Sequence, residues 1–339
     1  MKTPQTLATD TERHLSTRAG WQEFTQDPPT PPVLLSAGEY AALGDADRAH
    51  YDEVRLDHHA RLRVVATSTV RHTVTSGRRL ILLNRHAISA RRGLMVSGPA
   101  GTGKTIAITQ LGLAHELSDT ARHPDSPDRI PVLYVTVPPA ATPRMIAAEF
   151  ARFLGLPTTR QFNITDIIEA VVGVCTKART GLVLVDELHN ISLTTRHGAE
   201  VADTLKYFSE RIPATFIYAG IDIEHSTLLS GTRGAQIAGR FTLIPSHPFP
   251  YNNEWKGLVR TLESTLLLHQ HEPGTLAKLD RFLHDQTGGM IGALSHQIRG
   301  AAIDAILDGS EKITKRGLQA IPLDAAAQFS RPLPATTDR

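Results

Sequence analysis

The sequence has little cysteine and no long hydrophobic segment, and these two absences exclude disulfide-stabilised and membrane-spanning proteins. The single cysteine among 339 residues, Cys175, excludes an internal disulfide framework and fits a reducing compartment. No apolar run approaches the roughly 20 residues that a membrane-spanning helix needs. The first residues, MKTPQTLATDTERHLSTRAG, contain no apolar core of the kind that signal peptides have. We therefore expect a soluble cytoplasmic protein without a membrane partner.

Acidic residues are missing from one arginine-rich segment, although the whole chain is nearly neutral, with a formal net charge of +2. Residues 61–92 contain eight arginines and neither Asp nor Glu, whereas residues 1–60 carry more acids than bases. Guanidinium groups bind phosphates well, so segment 61–92 is one candidate for DNA contact; pairing with the acids of residues 39–57 is the alternative. Zinc-type spacing is also absent, and we interpret the adjacent His58 and His59 as solvated side chains.

Five short apolar runs, separated by helical patterns, follow residue 92. The runs are GLMVSG (93–98), PVLYVTVP (131–138), GLVLVD (181–186), ATFIYAG (214–220) and FTLIP (241–245). Apolar strands that alternate with helices predict an α/β fold, with a parallel five-stranded sheet flanked by helices. After residue 250, helical patterns separated by Gly, Pro or Asn predict a small helical domain.

These patterns predict four parts of the chain. An acidic, proline-rich and partly helical extension is expected at residues 1–60, and the α/β domain at residues 61–247. The C-terminal helical domain is expected at residues 248–325, and a flexible tail at residues 326–339.

The segment GPAGTGKT, from Gly98 to Thr105, fits the phosphate-binding P-loop motif and lies between a predicted strand and a predicted helix. Glycines in such a turn let backbone amides surround phosphate oxygens at the positive end of a helix. Lys104 is expected to reach the β- and γ-phosphates of ATP, and Thr105 to bind Mg²⁺. The predicted nucleotide-binding residues are Gly98, Pro99, Ala100, Gly101, Thr102, Gly103, Lys104, Thr105 and Ile106.

A second motif, GLVLVDELHN, places two carboxylates at the end of a buried strand. Ligands bind at the carboxyl ends of parallel strands, so Asp186 is predicted to hold Mg²⁺ together with Thr105. Glu187 is predicted to orient and polarise the water that attacks the γ-phosphate, and a solvated carboxylate is the alternative. For His189, a neutral histidine packed at the strand end is at least as consistent as a catalytic role. The two motifs together predict an ATPase.

Taken together, GPAGTGKT, LVLVDE, the strand ATFIYAG, the arginine of AGRF and the helical C-terminal domain resemble the AAA+ ATPases. More narrowly, LVDELHN, QIAGRF and TGGMIGALSHQIRGAAIDAI resemble the TniB/TnsC-type transposition ATPases, relatives of the initiator and helicase-loader clade. The resemblance covers roughly residues 61–321. It implies an ATP-dependent regulator that assembles on duplex DNA and directs a DDE-type transposase to its target.

The resemblance also implies a role for arginine in the run GTRGAQIAGRFTLIP. In AAA+ proteins an arginine just before the last core strand reaches a neighbouring subunit's nucleotide site and stabilises charge on the γ-phosphate. Arg240 matches that placement and Arg233 is the alternative, while a pair between Arg240 and a carboxylate of its own subunit is the other interpretation. An intersubunit Arg240 implies a ring or a helical filament in which one chain alone has an incomplete site.

Two features of the AAA+ pattern are missing. The strand TFIYAG ends in apolar and small residues where many family members have a polar sensor, which leaves Asp222 as the candidate. Gly292 lies near the place where many carry an arginine in the helical domain, and the nearest arginine is Arg299. We therefore expect hydrolysis to be slow and stimulated by DNA or by a partner.

The resemblance places DNA contacts on the loops after the second strand and after GLVLVDE. These loops hold Arg144, Arg196 and His197, which are expected to contact backbone phosphates. The predicted function is an ATP-dependent transposition regulator at the bacterial nucleoid. Two alternatives stay open: a helicase-loader-like replication ATPase, and a nucleotide-gated signalling or scaffold ATPase that acts on protein partners only.

Overall fold

The structure, a computed structural model, describes residues 14–26, 30–158, 162–191, 196–225 and 239–323. The strands are β1 (Gly93–Ser97), β2 (Val132–Thr136), β3 (Leu182–Asp186), β4 (Thr215–Gly220) and β5 (Phe241–Pro245). The helices are α1 (Arg18–Gln26), α2 (Ala37–Ala41), α3 (Asp45–Ala60), α4 (Ser68–Asn84), α5 (Lys104–Arg122), α6 (Pro143–Phe153), α7 (Ile164–Lys177), α8 (Arg196–Arg211), α9 (Asn253–Glu263), α10 (Thr275–Lys278), α11 (Asp280–Thr287), α12 (Ile291–Leu307) and α13 (Lys315–Ala320).

Contacts divide the chain into two compact units. The first comprises residues 1–28, 68–98 and 104–246, and the second comprises residues 29–67, 99–103 and 247–339. The domain boundaries expected after residues 60, 247 and 325 stay predictions.

The first unit contains a parallel five-stranded sheet in the order β2-β3-β4-β1-β5. The predicted α/β fold is confirmed, because each of the five apolar runs forms one strand and helices flank the sheet. β1, β3 and β4 are buried along their whole lengths, as the interior strands of a covered parallel sheet must be. β4 lies between β1 and β3, so the carboxyl ends of these three strands meet at one edge of the sheet.

Local capping signals fix where two helices of this unit begin. The hydroxyl of Thr142 accepts a hydrogen bond from the N–H of Met145, and Pro143 occupies the first turn of α6. Asn163 and Asp166 form a reciprocal capping box at the start of α7. These short-range contacts satisfy amides that have no partner within the helix.

The N-terminal helix α1 contributes to the core of the first unit through Trp21. This side chain is 2% exposed, and its ring stacks on Tyr134 with 6.0 Å between centroids. Its indole N–H donates to Oε2 of Glu116 at 3.2 Å. A Cβ at Gly112 would lie 2.5 Å from the Trp21 ring, so glycine at this position lets α1 approach α5 closely.

The second unit is helical over its C-terminal part, as the sequence predicts, and α3 packs in it against α12. Arg55 of α3 is fully buried and forms two 2.8 Å hydrogen bonds with the carboxylate of Glu311. A third hydrogen bond, at 2.6 Å, joins Arg55 to Asp52. The guanidinium is therefore paired with carboxylates, which a buried charge requires.

The interpretation of His58 and His59 as solvated side chains is wrong, because α3 packs them into the second unit. They are 4% and 3% exposed. Nε2 of His58 lies 2.9 Å from the carbonyl oxygen of Thr265, and the N–H of Leu267 donates to Nε2 of His59 at 3.3 Å. Burial lowers the pKa of His59 to about 4.

The described residues contain neither a cluster of metal ligands nor a membrane-spanning helix. In the described ranges, no group of three or more His, Cys, Asp or Glu side chains is arranged to hold a metal ion. Over the same ranges, every helix is too short or too polar to span a bilayer.

Candidate nucleotide-binding site

The predicted P-loop connects the end of β1 to the start of α5, and its backbone requires glycine. At Gly98 a Cβ would lie 1.8 Å from the carbonyl oxygen of Ser246, which leaves no space for a side chain. Gly101 and Gly103 have φ angles of +76° and +91°, in the region that favours glycine. The 19-residue helix α5 begins at Lys104. The loop thus leads into a helix N-terminus, where backbone amides bind phosphate oxygens.

Lys104 is buried at the start of α5, with 9% of its surface exposed. Burial lowers the pKa of its ammonium group, and the charges of Asp186, Glu187 and Asp222 oppose that shift. A lysine at the P-loop that lies among carboxylates of the sheet edge is placed to meet a phosphate group there.

Asp186 ends β3 and is held by three hydrogen-bond donors. The hydroxyls of Thr105 and Tyr134 donate to its Oδ2 atom at 2.7 and 2.9 Å. The backbone N–H of Glu187 donates to Oδ1 at 2.8 Å. A hydroxyl and a carboxylate this close supply the hard oxygen ligands that Mg²⁺ takes, so Thr105 and Asp186 fit a Mg²⁺ site.

Tyr134 is a site residue that the sequence analysis missed. It lies in β2, beside β3, and its buried hydroxyl reaches Asp186. Burial raises the pKa of this hydroxyl far above its usual value, so it stays protonated and acts as a donor. The available signal was one tyrosine in the otherwise aliphatic run VLYV, because a buried tyrosine hydroxyl needs a partner.

Glu187 follows Asp186 in a left-handed backbone conformation, with φ 58° and ψ 35°. Non-glycine residues adopt this conformation rarely, and it is common at functional sites. Its side chain is 43% exposed, and Oε2 lies 3.2 Å from Nε2 of His189. Glu187 is therefore at the sheet edge, accessible to solvent and next to a histidine.

Comparison with known proteins agrees with this geometry. Residues 86–229, which include the P-loop and β3, match the family model described as AAA domain. This chain has the P-loop AAA+ fold. No curated protein matches the sequence. The narrower resemblance to TniB/TnsC proteins stays a prediction.

Several solved structures share the AAA+ fold. The Aeropyrum pernix ORC2 protein in its ADP form is 19% identical, with a TM-score of 0.60 over 80% of this chain and 72% of that chain. The A. pernix ORC1 protein in complex with DNA is 13% identical, with a TM-score of 0.57 over 74% of this chain. The Drosophila ORC bound to DNA is 15% identical, with a TM-score of 0.53 over 89% of this chain and 70% of that one. This chain spans 64% of the ORC1 chain, less than two thirds.

Arg240, the predicted arginine finger of the AAA+ site, lies directly before β5. Its side chain is 38% exposed, and one terminal nitrogen lies 3.4 Å from Oε1 of Glu210. Arg240 and Glu210 line a groove of about 290 Å³, together with Arg91 and Arg92. A long, half-exposed ion pair stabilises little, so a stronger acceptor can displace Glu210. The alternative, Arg233, lies outside the described residues.

Gly292 lies near the place where many AAA+ proteins carry an arginine, and Arg299 is the nearest arginine. Both residues have contacts within the second unit. The N–H of Gly292 donates to the carbonyl oxygen of Gly101 at 2.9 Å, and a Cβ at Gly292 would lie 3.1 Å from that oxygen. Arg299 donates to the carbonyl oxygens of His59 and Ala60 at the C-terminus of α3. A cation there is favoured by the helix dipole, so Arg299 has a structural partner of its own.

The segment after β4 carries two carboxylates with different surroundings. Asp222, the predicted sensor candidate, is exposed and has a φ angle of +45°. Glu224, which sequence reasoning missed, accepts a hydrogen bond from the hydroxyl of the buried Ser97. The same hydroxyl accepts from the N–H of Ile223 at 2.9 Å. This segment is thereby tied to the end of β1, immediately before the P-loop.

The residues predicted to contact DNA are only partly described. Arg144, near the start of α6, donates to the carbonyl oxygen of Phe162 at 2.6 Å. Arg196 and His197 form the start of α8, and their side chains lie outside the described part of the structure. Contact between these three residues and DNA stays a prediction.

Proposed function

We propose that this protein is an AAA+ ATPase that binds ATP with Mg²⁺, hydrolyses ATP, and uses its nucleotide state to control assembly on duplex DNA. The observation that carries the proposal is the 2.7 Å hydrogen bond between Thr105 of the P-loop helix and Asp186 of β3. It brings the two predicted Mg²⁺ ligands together from residues far apart in the sequence. Glu187, the next residue, is the predicted water-orienting carboxylate.

Each residue of the site has one task in this proposal. Lys104 and the P-loop amides bind the β- and γ-phosphates, and Thr105 and Asp186 hold Mg²⁺. Bound Mg²⁺ supplies charge neutralisation at the phosphates. Glu187 orients the attacking water, and Arg240 of a second copy stabilises charge on the γ-phosphate. One chain alone therefore holds an incomplete site, which couples ATP to assembly as a ring or filament.

The fold supports the replication-initiator or helicase-loader function better than transposition regulation. The three solved structures compared above are ORC proteins, and the descriptions of two of them name bound DNA. The transposition function, with a DDE transposase as partner, is supported only by the segments LVDELHN, QIAGRF and TGGMIGALSHQIRGAAIDAI. We therefore propose a helicase-loader-like ATPase that acts on bacterial DNA at the nucleoid, and keep transposition as the second candidate.

A titration of labelled duplex DNA with the full-length protein tests this function. We expect binding that requires ATP or a non-hydrolysable analogue and weakens steeply with salt, because phosphate contacts release counterions. Lys104→Ala is expected to lose nucleotide binding and the ATP-dependent DNA complex. Lys177→Ala, which removes an exposed lysine at the end of α7, is the matched control and should behave as wild type.

DNA binding that does not change with nucleotide contradicts the proposal. The absence of binding even at low salt also contradicts the proposal and favours the scaffold alternative. The two partner classes are separated with full-length Glu187→Gln protein, assembled with ATP and duplex DNA as bait. Retention of a purified replicative helicase supports the loader function. Retention of a DDE transposase instead supports the second candidate.

A further inference from the structure

Both ring nitrogens of His189 face polar groups. Nδ1 accepts a hydrogen bond from the backbone N–H of Ile221 at 3.4 Å. Nε2 lies 3.2 Å from Oε2 of Glu187. A ring nitrogen that accepts carries no proton, so the neutral imidazole has its proton on Nε2, the nitrogen beside the carboxylate. The protonated nitrogen of His189 thus lies 3.2 Å from a carboxylate oxygen of Glu187, the residue that is proposed to orient the attacking water.

The backbone of the loop after β3 fixes the position of His189. The N–H of Asn190 donates to the carbonyl oxygen of Glu187 at 3.0 Å, which closes a 3₁₀ turn over Leu188–Asn190. The side-chain amide of Asn190 donates to the carbonyl oxygen of Val137, just after β2, at 2.8 Å. The turn is therefore attached to the residue that follows the neighbouring strand, which fixes the backbone from which the imidazole reaches Glu187.

The end of β4 packs directly on this turn. A Cβ at Gly220 would lie 3.0 Å from the backbone nitrogen of His189 and 3.2 Å from that of Leu188. Glycine is needed because the two backbones approach so closely, and the approach brings the N–H of Ile221 to Nδ1. The imidazole thus connects the segment after β4 with the carboxylate after β3.

We propose that His189 is a positioning residue for Glu187. Its Nε2–H holds the carboxylate, and the N–H of Ile221 sets the tautomer and ring orientation that this contact needs. The inference rests on the proposed function, since orientation of Glu187 matters only if ATP is hydrolysed. It extends that function by making turnover depend on the backbone after β4, a segment distinct from the P-loop.

Three substitutions of His189 in the full-length protein test the role. His189→Ala removes both contacts and is expected to lower kcat about 10- to 100-fold, as loss of an orienting partner does, while the Kd for a non-hydrolysable ATP analogue stays near wild type. His189→Gln places an amide N–H near the position of Nε2 and should recover most of kcat. His189→Asn places an amide oxygen near the position of Nδ1 and should not. Thermal unfolding of each variant reports whether the fold is intact.

A double-mutant cycle with Glu187→Gln identifies the route of the effect. If His189 acts through Glu187, adding His189→Ala to Glu187→Gln leaves the residual turnover unchanged. An equal fold-loss of kcat from His189→Ala in both backgrounds overturns the proposal. Recovery of kcat by His189→Asn rather than by His189→Gln also overturns it, because His189 would then act only as the acceptor for the N–H of Ile221. If His189→Ala does not fold, the Gln and Asn variants decide the question.

Failure of this inference is distinguishable from failure of the proposed function. Wild-type protein whose turnover equals that of Lys104→Ala, with DNA present, contradicts the ATPase itself. Active wild-type protein with an unchanged kcat in His189→Ala contradicts only the positioning role.

Discussion

At the scale of single residues, three hydrogen-bond donors fix the orientation of Asp186, the proposed Mg²⁺ ligand of β3. Two hydroxyls, from α5 and β2, donate to one of its oxygens, and a backbone amide donates to the other. Thr105 is a proposed Mg²⁺ ligand itself, whereas Tyr134 only supports the carboxylate. The contribution of Tyr134 can therefore be measured without removing a ligand.

Tyr134→Phe removes this hydroxyl with little change in shape. We expect weaker Mg²⁺ dependence of nucleotide binding and a loss of about 0.5–1.5 kcal/mol in the free energy of unfolding, as for one hydrogen bond. Titration of ATP-analogue binding with Mg²⁺ and denaturant unfolding measure the two effects. The matched control is Tyr218→Phe, a buried tyrosine of β4 whose ring stacks on Phe241. Equal Mg²⁺ midpoints in the two variants would show that Tyr134 does not orient Asp186.

At the scale of elements, α3 belongs to the packing of the second unit although the sequence placed it in an extension. Its buried face carries Arg55, His58 and His59, and its C-terminal carbonyls accept hydrogen bonds from Arg299. Polar side chains on a buried face are not visible as an apolar stripe, so periodicity does not predict this packing.

Arg55→Ala tests how strongly α3 is held. It leaves the carboxylate of Glu311, 10% exposed, without its partner, and we expect a loss of about 3–5 kcal/mol in the free energy of unfolding. Arg61→Ala at the end of the same helix is the matched control. Its pair with Asp57 is exposed, 47% and 57% for the two side chains, so its loss should stay under about 1 kcal/mol. Similar midpoints in urea for both variants would mean that α3 contributes little to the unit.

At the scale of the whole molecule, the proposed mechanism requires an arginine from a second copy at the γ-phosphate. Within the described residues, the guanidinium of Arg240 has one ion pair, a 3.4 Å contact with Glu210. The resemblance to AAA+ proteins assigns such an arginine to the neighbouring subunit's site. The proposed function therefore predicts that ATPase activity depends on assembly and hence on protein concentration.

Mixing two inactive variants tests an intersubunit Arg240. Arg240→Ala keeps Glu187 and lacks the finger, whereas Glu187→Gln keeps the finger. An equal mixture should regain about one quarter of the wild-type ATPase rate, because that share of randomly formed interfaces joins an intact Glu187 to an intact Arg240. Each variant alone, at the same total concentration, is the control. No recovery, together with turnover per chain that is constant on dilution, would place Arg240 within its own subunit.

The strands and the P-loop were predictable because their signals are local. Each apolar run of β1 to β5 forms a strand, and GPAGTGKT lies between β1 and α5 as the motif requires. Burial of His58 and His59 was not predictable, since it depends on partners more than 200 residues away, Thr265 and Leu267. The contact of Glu224 with Ser97 was not predictable either, because Glu224 lies in a short 3₁₀ turn that no sequence motif marks.

The sequence by itself determined the α/β class, the strand positions and the identity of the phosphate-binding loop, because hydrophobic burial and glycine's backbone freedom act within a few neighbouring residues. Only the tertiary structure decided which side chains meet. Thr105 and Tyr134 reach Asp186 across 81 and 52 residues, and Ile221 reaches His189 across 32. These contacts follow from the strand order β2-β3-β4-β1-β5, which places distant carboxyl ends side by side and which no local pattern encodes.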